Sequence, residues 1–558
     1  MLRPLPSLLP RLAFTALAAA SGAAHGEDAG VAAALAAIRP DALRAHVEFL
    51  ADDLLEGRGT GTRGHELAAR YVAAQLRALG FEPAAGNGTY FQPVPLEKRT
   101  LAGTKCALRL TGARGSAEFV FETDFLLRAI GDRDDAAIEA PLVFAGFGVT
   151  AAALGRDDYA GLDLAGKIAV ILSGAPASFA SAERAHHSST RVKLETAAAH
   201  GARGVIQILR PEEAKLFPWP ARVRGSHQGF LSWIDTEGTP HGIAPALAGV
   251  ATLNPAASER LFALAGRSLA DALAATEKPG GTPGFALGVS ARIATASRAS
   301  HLMSQNVIGR LAGSDPALAA ENVVYTAHLD HLGIGEPLAG DSIYNGALDD
   351  GSGVAGVLEV ARAFASLAPR AKRSLLVVIV TAEEAGLVGS DYFVHHPPVP
   401  IASLVADVNL DGISMLFPPA DVVALGAEHS SLAEPVAEAA KRMGLGLSPD
   451  PSPEQVYFVR SDQYSFVRAG IPSVFPDAGL KSSDPAIDGE KLTASWNETI
   501  YHTPKDDARQ PLDYEGGAKI TRFDFLIGYL VAQAPARPIW NAGDFFGTTF
   551  APKPGGSR

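Results

Sequence analysis

One cysteine, Cys106, is all that the 558 residues contain. No intramolecular disulfide can form, and a lipid-anchored N-terminal cysteine is excluded because Cys106 lies far downstream. A lone thiol of this kind is expected to be a small buried apolar group rather than a nucleophile. Positive charge is also short: 48 Lys and Arg against 60 Asp and Glu leave a net charge of −12. That balance argues against a nucleic-acid footprint or an anionic-membrane surface. After the first residues no segment supplies the roughly 18 uninterrupted apolar positions of a spanning helix. Phosphate-cradling glycine loops of the P-loop kind are missing too.

What is present is an ordinary globular composition, 47% hydrophobic, long enough for two to four domains at roughly 150 residues each. Arg3 and Arg11 precede the apolar "LAFTALAAASGAA", and small residues follow to Gly26. This is the layout of a signal peptide over residues 1–26, with the mature chain beginning near Glu27 in the periplasm or outside the cell. An exported protein of this size needs no disulfide staples.

Residues 27–139 open with two amphipathic helical patterns, "DALRAHVEFLADDLL" and "HELAARYVAAQLRALGF", separated by the glycine-rich "EGRGTGTRG". Residues 140–292 change texture: "APLVFAGFGV", "GKIAVILSG" and "GVIQILR" are short strands, with one helix, "RVKLETAAAHGA", among them. From 293 to 535 strands and helices alternate: "NVVYTAH", "GSGVAGVLEVARAFASL", "SLLVVIV", "GLVGSDYFVHH", "SLVADVNL", "SLAEPVAEAAKRMG" and "ITRFDFLIGYLVAQ". Such alternation predicts a mostly parallel central sheet with helices on both faces, interrupted by a small β-rich insert. Residues 536–558 read as a mobile Pro/Gly-rich tail.

Chemistry gathers where the strands of the α/β part end, the usual place for a site in an open α/β sheet. In "AHLDH", His328 and Asp330 share one side of an extended strand, and Asp330 or a nearby acid could fix the His328 tautomer. His331 points the other way, as an outer or surface group. In "NGALDDGSG", Asp349 and Asp350 precede a helix, where acids also serve as plain caps. In "LLVVIVTAEEAGLVGS" a strand runs into Glu383 and Glu384, and Ala382 and Gly386 permit the bend that lets both address one site. "NLDG" supplies Asp411, and "YHTPKDD" supplies Tyr501 and His502 in a loop. Each motif has a bland alternative, but carboxylates crowded at one sheet edge repel unless cations compensate.

Together "HLD", "GALDDGSG", "AEEAGLVGS", "NLDG" and "YHTP", in this order, resemble the dizinc aminopeptidase family. That family includes secreted bacterial aminopeptidases, glutamate carboxypeptidase and the inactive transferrin receptor. The insert, with "PLVFAGFGV", "DDYAGLDLAGKIAVIL" and "GARGVIQI", resembles the protease-associated domain found in many members. "SDQYSFVRAGIPSVF" resembles a further family segment that often reads S-D-H, with Gln463 here at the third position.

The resemblance implies two Zn²⁺ per chain. His328 and Asp411 would complete one zinc site, Glu384 and His502 the other, with Asp349 bridging and a cis peptide after it. Glu383 would be the general base and Tyr501 a donor to the oxyanion. Two zinc ions, three carboxylates and one hydroxide sum to a neutral cluster, and such metals bring a water near neutral pKa. The implied activity is removal of one residue from the N-terminus of a peptide or protein. The rivals are a glutamate-releasing carboxypeptidase, which should need arginines such as Arg460 or Arg468 near a substrate carboxylate, a single-zinc glutaminyl cyclase, and an inactive binding module. The insert's His186 and His187 are a lesser metal candidate.

Overall fold

Runs such as "NVVYTAH" and "SLLVVIV" have no polar alternation, so each must be covered on both faces. The computed structural model, which describes residues 29–552 apart from 87, 130–132, 243 and 282, shows how. Val323, Tyr325, Ala327, Leu375, Val377 and Ile379 enter the larger core, built with helices Pro40–Leu50, Arg63–Ala78, Gly353–Ser366, Ala433–Met443 and Tyr514–Gln533. Their neighbours Val324, Leu376, Val378 and Val380 face the opposite side, against Phe393 and Phe466 of helices Val388–His395 and Gln463–Arg468. Alternate side chains therefore feed two layers. Burying a Val or Leu side chain contributes roughly 1.5–3 kcal/mol, and both layers draw on the same backbone.

Strands Ser374–Val380, Asn322–His328, Leu404–Asn409 and Ser473–Ala478 are neighbours in that order and parallel. Antiparallel strands flank them: Phe285–Leu311, Phe91–Leu101 and Phe230–Trp233 on one side, Asp421–Leu425 on the other. The parallel strands point the same ends toward the site, which is why the motifs converge.

The strand Phe285–Leu311 is 27 residues long and belongs to two sheets. Its second half pairs with Phe91–Leu101 and Ser374–Val380. Its first half lies between Ala107–Gly112 and Asp135–Phe144 in a second sheet. That sheet continues through Ile168–Leu172, Gly204–Ile208, Val250–Leu253 and Phe125–Arg128. Composition marked the insert from residue 140, but the second sheet already takes strands from residue 107. Those early strands are half-polar, such as "ALRLTG", and do not stand out from their surroundings.

The C-terminal segment is not a free tail within the described residues. Phe545–Phe550 is a helix, and Phe546 is fully buried against Phe458 and His429. Its aromatic anchors outweigh the surrounding proline and glycine. The signal-peptide expectation, residues 1–26, and the last residues, 553–558, lie outside the described residues.

Candidate active site

His328 ends its strand, Glu383 and Glu384 follow the next, and Asp411 follows Leu404–Asn409. Asp349 comes from the turn before Gly353–Ser366, and His502 from the loop after helix Gly489–Thr499. Ala382 has a left-handed φ of 56°, and Gly386 one of 104°. The expected bend is there, and it brings both glutamates to the site.

The side chains fall into two groups that share Asp349. His328 Nε2 lies 3.2 Å from Asp349 Oδ1 and 3.4 Å from Asp411 Oδ1. His502 Nε2 lies 3.1 Å from Asp349 Oδ2 and 3.4 Å from Glu384 Oε2. Glu383 reaches within 3.9 Å of His328 Nε2 without joining either group closely. Tyr501 stacks on the His502 ring at 3.9 Å, and its hydroxyl accepts a hydrogen bond from Arg460 at 3.2 Å. Burial pushes the Tyr501 hydroxyl well above its usual range, so it keeps its proton.

The surroundings orient these groups. His328 donates its Nδ1–H to the main-chain carbonyl of Asp330 at 2.9 Å, which leaves Nε2 facing the site. The Asp330 carboxylate, expected to orient a histidine, instead accepts the Glu383 amide at 3.1 Å and the Thr60 hydroxyl at 2.9 Å. It holds the Glu383 main chain rather than the imidazole. Asp350 accepts amides from His328, Gly353 and Gly412, tying three segments of the site together while capping the helix. Asp506 accepts the amides of Leu348 and Asp349. The Asp349–Asp350 peptide bond is cis.

Three residues were not singled out, or were misjudged, from sequence. Arg58, from the "EGRGTGTRG" loop, is buried and donates to the carbonyls of Leu50, Leu329, Asn345 and Gly346. It pins the loops on either side of His331 and before Asp349. Gly346 there has φ +62°, and a Cβ would sit 2.1 Å from the Asp349 carbonyl oxygen. His331 is not a surface group: it is buried, with Nδ1 2.7 Å from Glu384 Oε1. Asp506 lies in "PKDD", a stretch that reads as an ordinary acidic loop. No pattern in one sequence distinguishes a carboxylate that holds two amides from one in water.

The residues fit metal cations. His331 Nδ1 and Glu384 Oε1 are buried, close, and neither is aligned for a hydrogen bond. Asp349, Glu383 and Glu384 share the pocket with buried Asp330, Asp350, Asp462 and Asp506. Burial drives the Glu383 and Asp350 carboxyls well above the usual range, which neighbouring acids accentuate. Imidazole and carboxylate donors around a shared aspartate are the chemistry that zinc-class ions take.

Gln463 lies outside the ligand groups. It is buried and joins the Asn409 side chain to the Phe458 carbonyl, at 2.9 Å each. His186 is bonded to Tyr464 at 2.6 Å among aromatic rings, and His187 lies beside it. Arg468 pairs with Glu195 of the insert, so of the two candidate arginines Arg460 reaches the site. Cys106 is half-buried, and burial raises its thiol pKa, as for an inert side chain.

No curated protein matches the chain. Among solved structures, an aminopeptidase from Aneurinibacillus sp. strain AM-1 is similar at 20% identity, over 91% of this chain and 97% of that one, with a TM-score of 0.52. That likeness shows a shared fold. A zinc aminopeptidase from Bacillus subtilis is similar at 20% identity over 88% of this chain and 94% of that one, with a TM-score of 0.42. A peptidase M28 precursor from Shewanella amazonensis is similar at 19% identity over 92% and 98%, with a TM-score of 0.44. Residues 306–524 match Peptidase family M28, and that stretch contains all of the paired side chains from His328 to His502. The stretch that carries the site is thus similar to peptidase family M28, and the protein is a metallopeptidase.

Proposed function

We propose that the protein is an exported aminopeptidase that works with two zinc ions. The observation that carries this is the pair of side-chain groups joined by Asp349, one with His328 and Asp411, the other with Glu384 and the imidazoles of His502 and His331. His328, Asp349 and Asp411 would hold one ion; Asp349, Glu384 and His502 the other. When bound, such ions acidify water and polarise a scissile carbonyl.

The chain's own residues then divide the remaining work. Glu383 is buried beside both groups, and its raised pKa suits it to take a proton from the attacking water and return it to the leaving amine. Asp330 holds the Glu383 amide and fixes where the base points. Tyr501 receives Arg460's N–H, which leaves its own O–H to donate to the oxyanion. The carboxylate-rich pocket suits a substrate's positive α-amine. The insert, read as a protease-associated domain, reaches the rim: Phe217 lies 5.2 Å from the Arg460 guanidinium.

Arg460 also supports a second reading, a carboxypeptidase that binds a substrate carboxylate. A substrate screen decides between them. Peptides with free N-termini should be cleaved one residue at a time, and N-blocked peptides should resist. Release of C-terminal residues from blocked peptides would transfer the assignment to the second reading. Active protein retained inside the cell with Met1 in place would remove the export part alone.

A further inference from the structure

A third cluster of metal-ligating side chains lies away from this site, where the insert meets helix Val388–His395. One donor atom each from His241, Asp391 and His395 lie within 4.8 Å of one another. We infer that these three residues form a further divalent-cation site, of the zinc class, that joins the insert to the peptidase sheet.

The two halves come from different layers. Asp391 and His395 are four apart on one helix, so they share a face. His241 follows the strand Phe230–Trp233, which the insert lends to the edge of the peptidase sheet. His241 Nε2 is 3.6 Å from Asp391 Oδ2. That is close to the roughly 3.3 Å separating two ligands of a tetrahedral ion with bonds of about 2.0–2.1 Å.

Each member also has the outer support that ligands need. His395 donates Nδ1–H to the Asp391 carbonyl at 2.7 Å, which leaves the Nε2 lone pair free. The Asp391 carboxylate accepts the Trp233 indole N–H at 2.7 Å and two Arg191 N–H groups at 3.0 and 3.4 Å; Oδ1, with a single donor, keeps a second lone pair. His241 stacks on Trp233 at 4.1 Å with only 9° between the planes, so its ring is fixed. Burial holds His241 below its ordinary pKa, neutral as a ligand must be. An Arg191–Asp391 ion pair alone would need neither imidazole.

The cluster borders a cavity of about 470 Å³, which Glu195 and Arg468 also line. The cavity gives an ion an entry path and an open position. Arg191 and Arg468 balance Asp391 and Glu195, so a bound dication stays electropositive and its open position favours water or an anion.

The test uses the full chain loaded with Zn²⁺, or with Co²⁺, and dialysed, then metal per chain measured by mass spectrometry. His241→Gln is the first variant, because a side chain one-third exposed tolerates the change; His395→Ala is the second. Each folded variant should carry one equivalent less than the wild type and keep its peptidase turnover. Added zinc should raise the unfolding midpoint of the wild type more than that of either variant. The comparison counts a difference, so it stands whether the catalytic centre holds one ion or two. Equal metal content in the wild type and in folded His241→Gln, with equal zinc-dependent stabilisation, would overturn the inference and leave a polar latch.

Discussion

Glu384 sits 2.7 Å from His331 and 3.4 Å from His502, whereas the closest imidazole approach of Glu383 is the 3.9 Å to His328. Two adjacent carboxylates with such different partners should fail differently. Glu383→Gln keeps the shape but cannot accept a proton, so turnover should fall by about 10²–10⁴-fold with metal content unchanged. Glu384→Gln removes a ligand charge, and metal per chain should drop after dialysis, with partial rescue by added zinc. The reverse pattern of metal loss would exchange the two roles.

Buried His65 and His187 each lose stability on acidification, against buried carboxyls such as Asp477, raised to about 7, that gain it. Burial, helped by Arg58, brings His65 down to about 3, and burial near Lys193 brings His187 to about 4. Between those values and the ordinary 6.5 each of these histidines binds a proton in the unfolded chain and not in the folded one, so its contribution is full above pH 6.5 and declines as pH falls. The loss should reach about 2 kcal/mol per histidine between pH 6.5 and pH 5. Urea midpoints across that range check it, and His187→Phe, set among aromatic neighbours, should flatten the slope. The proposed ligand residues stand out in the sequence because strand ends expose them as motifs. His331 was not, because straight strand geometry turns it outward, whereas here the chain leaves the strand after His328 and the ring folds back beside Glu384.

At the scale of elements, the active-site loops depend on one guanidinium. Arg58 donates to carbonyls from three segments, and burial lowers its pKa despite the surrounding Asp350, Asp506 and Asp349. Arg58→Met would leave those carbonyls without a donor and the acids without a cation. A loss of about 3–5 kcal/mol is expected from urea unfolding, with metal affinity weakened about 10–100-fold as the loops relax. Unchanged zinc affinity in a folded Arg58→Met protein would show that the loops hold their shape without it. Helices and strands of the α/β part were readable from apolar period and run length. The C-terminal helix was hidden because a single buried aromatic, Phe546, decides its placement.

For the molecule as a whole, the insert's natural cutting points are where the chain leaves and re-enters the first sheet. Leu101 and Ser297 are cross-strand partners. Replacing 102–296 by an Asn-Gly turn should preserve that ladder, whereas cutting at 140 and 292 would sever strands of the second sheet. All proposed catalytic ligands remain, so such a chain should bind its catalytic metals and lose substrate selectivity as Phe217 leaves Arg460. Catalytic metals missing from a folded deletion protein would tie the insert to the centre itself.

The 27-residue strand also imposes a schedule. Strand Phe91–Leu101 leaves the ribosome first, but its partner on Phe285–Leu311 is roughly two hundred residues behind. At about 5–20 residues per second, an unpaired strand edge waits some 10–40 s for its mate. During that interval it is open to any other strand edge. A chaperone that shields residues 91–101 until translation passes residue 307 would therefore raise the yield of active enzyme more than one acting on the finished chain.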